Sequence, residues 1–318
     1  MQNKIEIIIF TYKRAILLDA CLNSIFKHCT NIKYPINIIY RYDPDHHKSY
    51  LKLKKTFGNK IILKQRKKIS IFNHFSLLLR PLNLVWIYKW ISIIQQFTNF
   101  KEIFEKILIK SKCKFVMLCT DDTLFIKNNR LNNNIFNLIK HNGKFTWFRS
   151  NFGLDLNPNR KFQFTNNFKN IIWNSDDKNI NFFMKYNFQV EGSIYLTSSL
   201  LEFVKPFIYN NPTTLEAIGY KEASFRNYFK QMISPLSRTA ITYELNTVQT
   251  DTHLRFFERP QYSPELLMKL FLKGYKLRFN FNAKYVKFIS EFGNKRVIPI
   301  KLFLKFKTKI IEISKMIF

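Results

Sequence analysis

The sequence predicts an α/β fold in which helices flank a mixed, mostly parallel central sheet. Ile5–Phe10 and Phe115–Cys119 are continuous apolar runs, typical of parallel strands buried on both faces. Apolar residues at helical spacing predict a helix from Ala15 to His28 between them. Further strands at Ile36–Tyr42 and Lys60–Lys64 complete an alternation of strands and helices that is typical of layered α/β proteins.

The same patterns assign the rest of the chain. Residues 151–190 are rich in Asn, Phe and Lys without periodicity, so a loop-rich region is expected there. Ser263 as N-cap, Pro264 as first residue and Gly274 as stop delimit one late helix. Other helices are predicted at Phe100–Lys110, 198–207 and 214–230, and other strands at Phe145–Arg149, Val190–Leu196 and Ala240–Leu245.

The charge of the chain points to anionic partners. The formal net charge is +31, from 52 basic and 21 acidic residues. Nucleic acid, phosphorylated ligands and anionic membranes are the candidate partners. A Lys-, Asn-, Ile- and Phe-rich composition also fits an AT-biased coding sequence, but that bias does not explain the shortage of Asp and Glu. With 46% hydrophobic residues, the chain can bury a core and is not disordered as a whole.

The expected location is the cytoplasm. The four cysteines have no CxxC spacing, which argues against a zinc site and favours reduced thiols. The first residues lead directly into a strand, so no secretion signal is predicted. The apolar stretch 69–94 contains His74, Arg80 and Lys89, which argues against a transmembrane helix.

Thr120-Asp121-Asp122 directly follows the predicted strand Phe115–Cys119. Adjacent carboxylates at the tip of a buried strand are costly unless something positive meets them, and this edge of an α/β sheet is where ligands bind. One interpretation is a divalent metal that holds a diphosphate. The other is an acidic turn that caps the next helix.

Two segments together resemble the GT-A glycosyltransferases, the family 2-like enzymes in particular. In the stretch 5–25, Thr11, Tyr12 and Arg14 match the family's Pro-Thr-Tyr-Asn-Arg opening, whereas Phe10 replaces its Pro and Lys13 its Asn. A Leu-rich helix with Ser24-Ile25 follows. The second segment is the acidic tip, which is similar to the family's DxD-type metal motif. The resemblance covers residues 4–30 and 114–126.

The resemblance implies a metal-dependent transfer of sugar from a nucleotide-sugar donor to a hydroxyl acceptor. It implies a role in bacterial surface glycan synthesis, such as lipopolysaccharide or capsule, with Mn²⁺ or Mg²⁺ as cofactor. It further implies a catalytic domain over 1–275, with a nucleotide-binding half (1–125) and an acceptor-side half (126–275). Residues 276–318 are then a basic amphipathic segment.

The resemblance also implies roles for residues at the strand tips. Asp122 is expected to bind the metal and Asp121 the ribose or sugar hydroxyls, or the reverse. The Thr11-Tyr12 loop is expected beside the base and ribose. Asp43 is expected near the base, although it is equally interpreted as a turn residue before Pro44.

Two carboxylates compete for the role of general base, which deprotonates the acceptor hydroxyl. Glu191 is favoured, because the neighbouring Gly192 allows a substrate close to the backbone. Glu216 is the second candidate; it lies near a predicted helix start, where a Glu also stabilises the helix dipole without any catalytic role.

Other candidates lie further from the two segments. His253 is a candidate metal ligand or an ordinary histidine, and Arg255 a candidate for the diphosphate. His46-His47 is interpreted as part of a solvated loop.

Phe303, Phe306, Ile310, Ile313 and Ile317 recur at helical spacing, with lysines on the opposite side. Such a basic amphipathic helix either lies on an anionic membrane, as at the inner face of the cytoplasmic membrane, or packs on the domain.

Two other functions are weighed against the glycosyltransferase. A nucleic-acid-binding protein fits the charge and the 34 Phe and 15 Tyr, but no RNP, helix-turn-helix or zinc-finger pattern is present. A nucleotidyltransferase would need a Gly-rich phosphate loop, which the seven scattered glycines do not supply.

Overall fold

The computed structural model describes residues 3–67, 98–129, 131–156, 162–165, 169–178, 180, 182–243 and 262–280. Only the backbone is described at 182–183, 278–280, 285–290 and 298–300. Within these ranges, no helix is both long enough and apolar enough to cross a membrane.

The described strands form a large central sheet and two small ones. Their bounds are β1 Ile5–Thr11, β2 Ile32–Arg41, β3 Ile61–Arg66, β4 Phe115–Thr120, β5 Thr123–Phe125, β6 Thr146–Arg149, β7 Gln163–Phe164, β8 Asn170–Asn174, β9 Ser193–Leu196, β10 Gln231–Pro235, β11 Ala240–Thr242, β12 Tyr275–Asn280, β13 Tyr285–Ser290 and β14 Ile298–Ile300. The central sheet has the order β3-β2-β1-β4-β9-β6-β10-β8-β7. Strands β1 to β4 are parallel, β6 and β10 are parallel, and β9 runs antiparallel between β4 and β6.

Helices cover both faces of this sheet. Their bounds are α1 Ala15–His28, α2 Pro44–Phe57, α3 Phe100–Lys110, α4 Asn133–Asn142, α5 Phe182–Lys185, α6 Thr197–Val204, α7 Pro212–Phe225 and α8 Pro264–Leu272. Ile7 and Ile9 of β1 join the core formed with α1, α2, α4 and α8. Ile8 and Phe10 join the core formed with α3, α6 and α7. This double burial explains the continuous apolar run of β1, and the predicted α/β fold class is confirmed.

Several predicted elements are confirmed closely. Helices α1 and α3 begin and end at the predicted residues. Helix α8 begins with Pro264, and its N-cap Ser263 accepts a hydrogen bond from the Leu266 backbone N–H at 3.1 Å. The four cysteines are free thiols, as expected.

Helix α2 corrects the prediction that strand Ile36–Tyr42 leads directly to the next strand. Only four residues of α2 are buried, and most of the others are charged or polar, so its sequence lacks a strong apolar stripe. Asp43 is its N-cap, and His46 is buried within it, so the assignment of His46-His47 to a solvated loop was wrong.

The acidic tip does not cap a helix. Asp122 is followed by the short strand β5, which pairs with β11. The interpretation of Thr120-Asp121-Asp122 as a helix-capping turn was therefore wrong.

Strands β12, β13 and β14 form an antiparallel sheet that begins at Tyr275. The amphipathic helix predicted from Phe303 to Ile317 lies outside the described residues, as does the stretch 69–94. The division at residue 275 stays a prediction.

Candidate active site

The carboxyl ends of β1, β2 and β4 meet at one edge of the sheet, where parallel α/β sheets bind ligands. Because β9 runs the opposite way, its amino-terminal end lies at this same edge. Glu191 precedes β9 by two residues, so topology brings it beside Asp121-Asp122, which follow β4. The two segments that the sequence singled out thus share one site with a distant carboxylate.

Arg14 joins the two aspartates at the centre of this edge. Its Nη2 lies 2.5 Å from Asp121 Oδ1, and its Nη1 lies 3.0 Å from Asp122 Oδ2. Thr11 Oγ1 donates to Asp121 Oδ2 at 2.6 Å and lies 3.0 Å from the Tyr50 hydroxyl. The guanidinium fork thus compensates the two buried carboxylates, which would otherwise be costly.

Asp121 is fully buried and has its side chain enclosed by Thr11 and Arg14. Burial raises the pKa of Asp121 to about 6, although the charge of Arg14 opposes that shift. Asp121 therefore lies behind the surface of the cleft. Its contacts hold the β1 and β4 tips together.

Asp122 is the carboxylate with an uncommitted oxygen. Oδ2 pairs with Arg14, whereas the buried Oδ1 has no hydrogen-bond partner. In the described part of the chain, no three His, Cys, Asp or Glu side chains converge as a ready metal site. A divalent ion that takes one carboxylate oxygen from the protein and the rest of its ligands from substrate phosphates and water fits this donor set.

Asp43 lies at the neighbouring strand tip in a network of its own. Lys13, whose φ is +58°, places Nζ 2.9 Å from Asp43 Oδ2. His46 Nδ1 lies 3.0 Å from Asp43 Oδ1. Burial opposes ionisation, but the hydrogen bonds from Lys13 and His46 lower the pKa of Asp43 to about 2. The Asp43 carboxylate thus caps α2 and pairs with Lys13. At the same strand tip, the Tyr12 ring lies 4.9 Å from the guanidinium of Arg41.

Glu191 and Glu216 interact with each other electrostatically. Thr242 Oγ1 donates to Glu191 Oε2 at 2.6 Å. Burial and then the charge of Glu191 raise the pKa of Glu216 well above its usual value, and the charge of Arg149 opposes this. The charge of Asp122 also contributes to this raised pKa, less than burial and Glu191 do. The two candidates for the general base, Glu191 and Glu216, are therefore close enough to influence each other.

Gly192 fixes the turn before β9. It adopts φ +65°, a conformation that glycine reaches without strain. An added Cβ would lie 3.4 Å from Ser150 and 3.6 Å from Thr123. This backbone conformation orients the adjacent Glu191.

The sequence patterns missed several residues of this edge. Arg149 is buried at the end of β6, with its guanidinium 5.6 Å from the Trp147 ring centre. Tyr186 stacks on Tyr220 at 4.4 Å, and the charges of Glu216 and Glu191 contribute to its raised pKa. Arg149 is the last residue of a predicted strand, and this position at a strand end was the signal that could have identified it. No sequence signal pointed to Tyr186. The predicted His253 and Arg255 lie outside the described residues.

No family model matches the sequence, and no curated protein matches it. Among solved structures, S. aureus TarS 1–349 is 12% identical with a TM-score of 0.43, covering 74% of this chain and 59% of its own. Its complex with UDP is 12% identical with a TM-score of 0.42 over the same shares. The chain thus matches about three fifths of these proteins' length.

Two further structures differ in their stated activities. The inositol-1-phosphate CTP transferase from T. maritima is 12% identical, with a TM-score of 0.39, over 84% of this chain and 96% of its own. The bifunctional glycosyltransferase WbbM is 14% identical, with a TM-score of 0.31, over 73% and 46%. With TM-scores below 0.5, these similarities assign no activity, so the function rests on the chemistry of the site.

Proposed function

We propose that the protein is a glycosyltransferase that moves a sugar from a nucleotide-sugar donor to a hydroxyl of a glycan or lipid-linked acceptor. The observation that carries this proposal is the cluster of Thr11, Arg14, Asp121 and Asp122 at the ligand-binding edge, opposite the Glu191–Glu216 pair. One half can bind an anionic donor, and the other offers carboxylates to an incoming hydroxyl. Bacterial surface glycan synthesis at the inner face of the cytoplasmic membrane is the role we propose.

On the donor side, Asp122 Oδ1 would hold a Mg²⁺ or Mn²⁺ ion. Such an ion supplies Lewis-acid stabilisation of the departing diphosphate. Arg14 supplies a fixed positive charge beside the same carboxylate, and its contacts to Asp121 keep the β1 and β4 tips in register. Tyr12 and the tips of β2 and β3 then surround the nucleoside. Of the outlying candidates, His253 and Arg255 stay proposed as metal and diphosphate ligands.

On the acceptor side, Glu191 takes the proton of the acceptor hydroxyl. Thr242 donates a hydrogen bond to Glu191, and the charge of Glu191 acts on the buried cation Arg149. Glu216, whose pKa is raised, holds a proton more readily and can donate a hydrogen bond to a sugar oxygen. A carboxyl group that holds a proton readily, beside a second one that takes the proton of the acceptor, suits acid–base chemistry.

The test is nucleotide-sugar binding and transfer by the wild type and by Asp122→Asn. A thermal-shift screen of UDP-, GDP- and CMP-sugars, with and without Mn²⁺, identifies the donor. With that donor, we expect Asp122→Asn to lower the transfer rate by about 100-fold or more, because the amide cannot replace a charged metal ligand. The melting temperature in the absence of ligand should stay close to wild type.

Glu102→Gln, at an exposed position on α3, is the matched control and should transfer at the wild-type rate. Full activity of Asp122→Asn would exclude this site as the metal and diphosphate site. Absence of binding to all of the nucleotide sugars would exclude the proposed function.

A further inference from the structure

Arg66, the last residue of β3, is a buried cation whose charge the described structure leaves uncompensated. The residue is 7% exposed, and its Nε and Nη1 atoms are buried without a hydrogen-bond partner. Its guanidinium lies 5.4 Å from the ring centre of Phe100. A buried charged group normally has a partner, because removing it from water costs several kcal/mol.

Among the residues that the structure describes, no side chain near Arg66 supplies the missing acceptor. Arg41 is the neighbour of Arg66 in the β2–β3 ladder and carries the same charge. Asp43 accepts from Lys13 and His46. Burial and then the charge of Arg41 lower the pKa of Arg66 to about 10, so the side chain is still a cation at neutral pH. The partner that Arg66 lacks is therefore expected to come from a ligand.

Arg66 is within reach of the proposed nucleoside position. Strands β1, β2 and β3 are adjacent and parallel, so their tips lie at one edge and β1 and β3 are about 10 Å apart. The Tyr12 ring lies 4.9 Å from the guanidinium of Arg41, the ladder neighbour of Arg66, which places the Thr11-Tyr12 loop beside the tips of β2 and β3. A nucleobase whose ribose lies against that loop spans this distance.

We propose that Arg66 is the residue that selects the nucleobase of the donor, by donating hydrogen bonds to a ring carbonyl. This proposal rests on the proposed function. A guanidinium only donates, so it matches a base edge that only accepts. Uracil offers O4, and guanine offers O6 beside N7; adenine places its 6-amino donor beside N7. The donor is thus a uridine or guanosine diphosphate sugar, and adenine is rejected.

The experiment measures the Kd of UDP, GDP and ADP by titration calorimetry, since the three share the same ribose and diphosphate. We expect UDP or GDP to bind the wild type about 10- to 100-fold more tightly than ADP. Arg66→Met should weaken binding of the preferred nucleotide by a similar factor and leave that of ADP unchanged. Lys64→Met removes the same charge two residues earlier on β3 and should change none of the three affinities.

Two further measurements separate base recognition from other roles. Arg66→Lys keeps the charge but loses the planar fork, so it should not restore selectivity. Arg66→Met should also raise the melting temperature of the nucleotide-free protein by a few degrees, because it replaces an unpaired buried charge with an apolar chain.

The opposite results overturn the proposal. Equal weakening of UDP, GDP and ADP by Arg66→Met would mean that Arg66 serves the phosphates. Retained selectivity in Arg66→Lys would mean that charge alone suffices, and a lower melting temperature or loss of folding in Arg66→Met would mean that Arg66 is structural. Equal wild-type affinity for the three nucleotides overturns the nucleobase inference alone. No binding of any of them overturns the proposed function as well.

Discussion

Glu216 and Glu191 illustrate how single residues of the site depend on their surroundings. Burial and then the charge of Glu191 raise the pKa of Glu216, and Arg149 supplies a buried positive charge that acts on both carboxylates. Because a carboxylate pair next to one cation holds a proton readily, the protonation state of Glu216 links the chemistry of the site to the stability of the fold.

Glu216→Gln is expected to stabilise the protein at high pH and to have little effect at low pH. Burial and the charge of Glu191 hold the folded-state pKa of Glu216 well above its ordinary value of 4.5. The unfolded chain therefore loses this proton first, and stability falls as pH rises from the unfolded value through the folded pKa. Glu216→Gln has no carboxyl group to ionise at this position, so its stability does not fall in this way. Melting temperatures of both proteins at about pH 4 and about pH 8 test this.

Glu102→Gln, on the exposed side of α3, controls for the general effect of removing one negative charge. It should change the melting temperature by the same small amount at both pH values. A lower melting temperature of Glu216→Gln at about pH 8 would show that the ionised Glu216 stabilises the fold, for instance through Arg149.

Helix α7 carries Glu216 and is positioned by a close contact in its middle. At Gly219, one turn after Glu216, an added Cβ would lie 2.3 Å from Cδ1 of Phe188 and 2.6 Å from its Cε1. Phe188 is fully buried and packs on Tyr195 of β9. A glycine thus allows the helix to approach the core closely enough to bring Glu216 to Glu191.

Gly219→Ala is expected to destabilise the protein, although alanine usually favours a helix by about 1 kcal/mol over glycine. The overlap with Phe188 should cost about 1–3 kcal/mol, as overpacked cores do. Transfer activity should fall as well, because the displaced helix carries Glu216. Urea unfolding and initial rates measure the two effects.

Ala217→Gly is the matched control on the exposed side of the same helix. It should cost about 1 kcal/mol through helix propensity alone and leave the transfer rate unchanged. A Gly219→Ala variant more stable than wild type would mean that Phe188 rotates away without cost.

The elements also show which local signals suffice. Helices α1 and α3 have strong apolar stripes and were predicted residue for residue. Helix α2 was missed, because its exposed surface is largely charged and only its start carries a signal. An Asp followed by Pro occurs in turns, and it also occurs where a helix begins, with Asp as the N-cap and Pro as the first helical residue. Asp43-Pro44 begins helix α2 in this second way.

At the scale of the whole molecule, the sequence predicts those site residues that local patterns mark. It does not predict the contacts that the fold makes between distant segments. The tips of β1 and β4 follow apolar runs, so Thr11, Arg14 and Asp121 were found from the sequence. The contact of Glu191 with Thr242 depends on an antiparallel strand inserted into a mostly parallel sheet. No local pattern encodes this insertion, nor the missing partner of Arg66, since both depend on what distant segments supply.

The chain has a formal net charge of +31, and we expect its basic residues 300–318 to bind anionic membranes. The full chain should cosediment with vesicles that contain anionic lipid, because each lysine near such a surface contributes about 1 kcal/mol. Binding should fall between about 0.05 and about 0.5 M salt, as screening shortens the reach of these charges.

A chain that ends at residue 299 should remain in the supernatant, and neutral vesicles should bind neither protein. Replacing Lys301, Lys305 and Lys309 by Gln in the full chain separates charge from apolar contact, and should weaken binding without abolishing it. Unchanged sedimentation of the shortened chain would exclude this segment as the membrane contact. If single-stranded RNA displaces the full chain from the vesicles and no nucleotide sugar binds, the aromatic and basic composition serves nucleic acid instead.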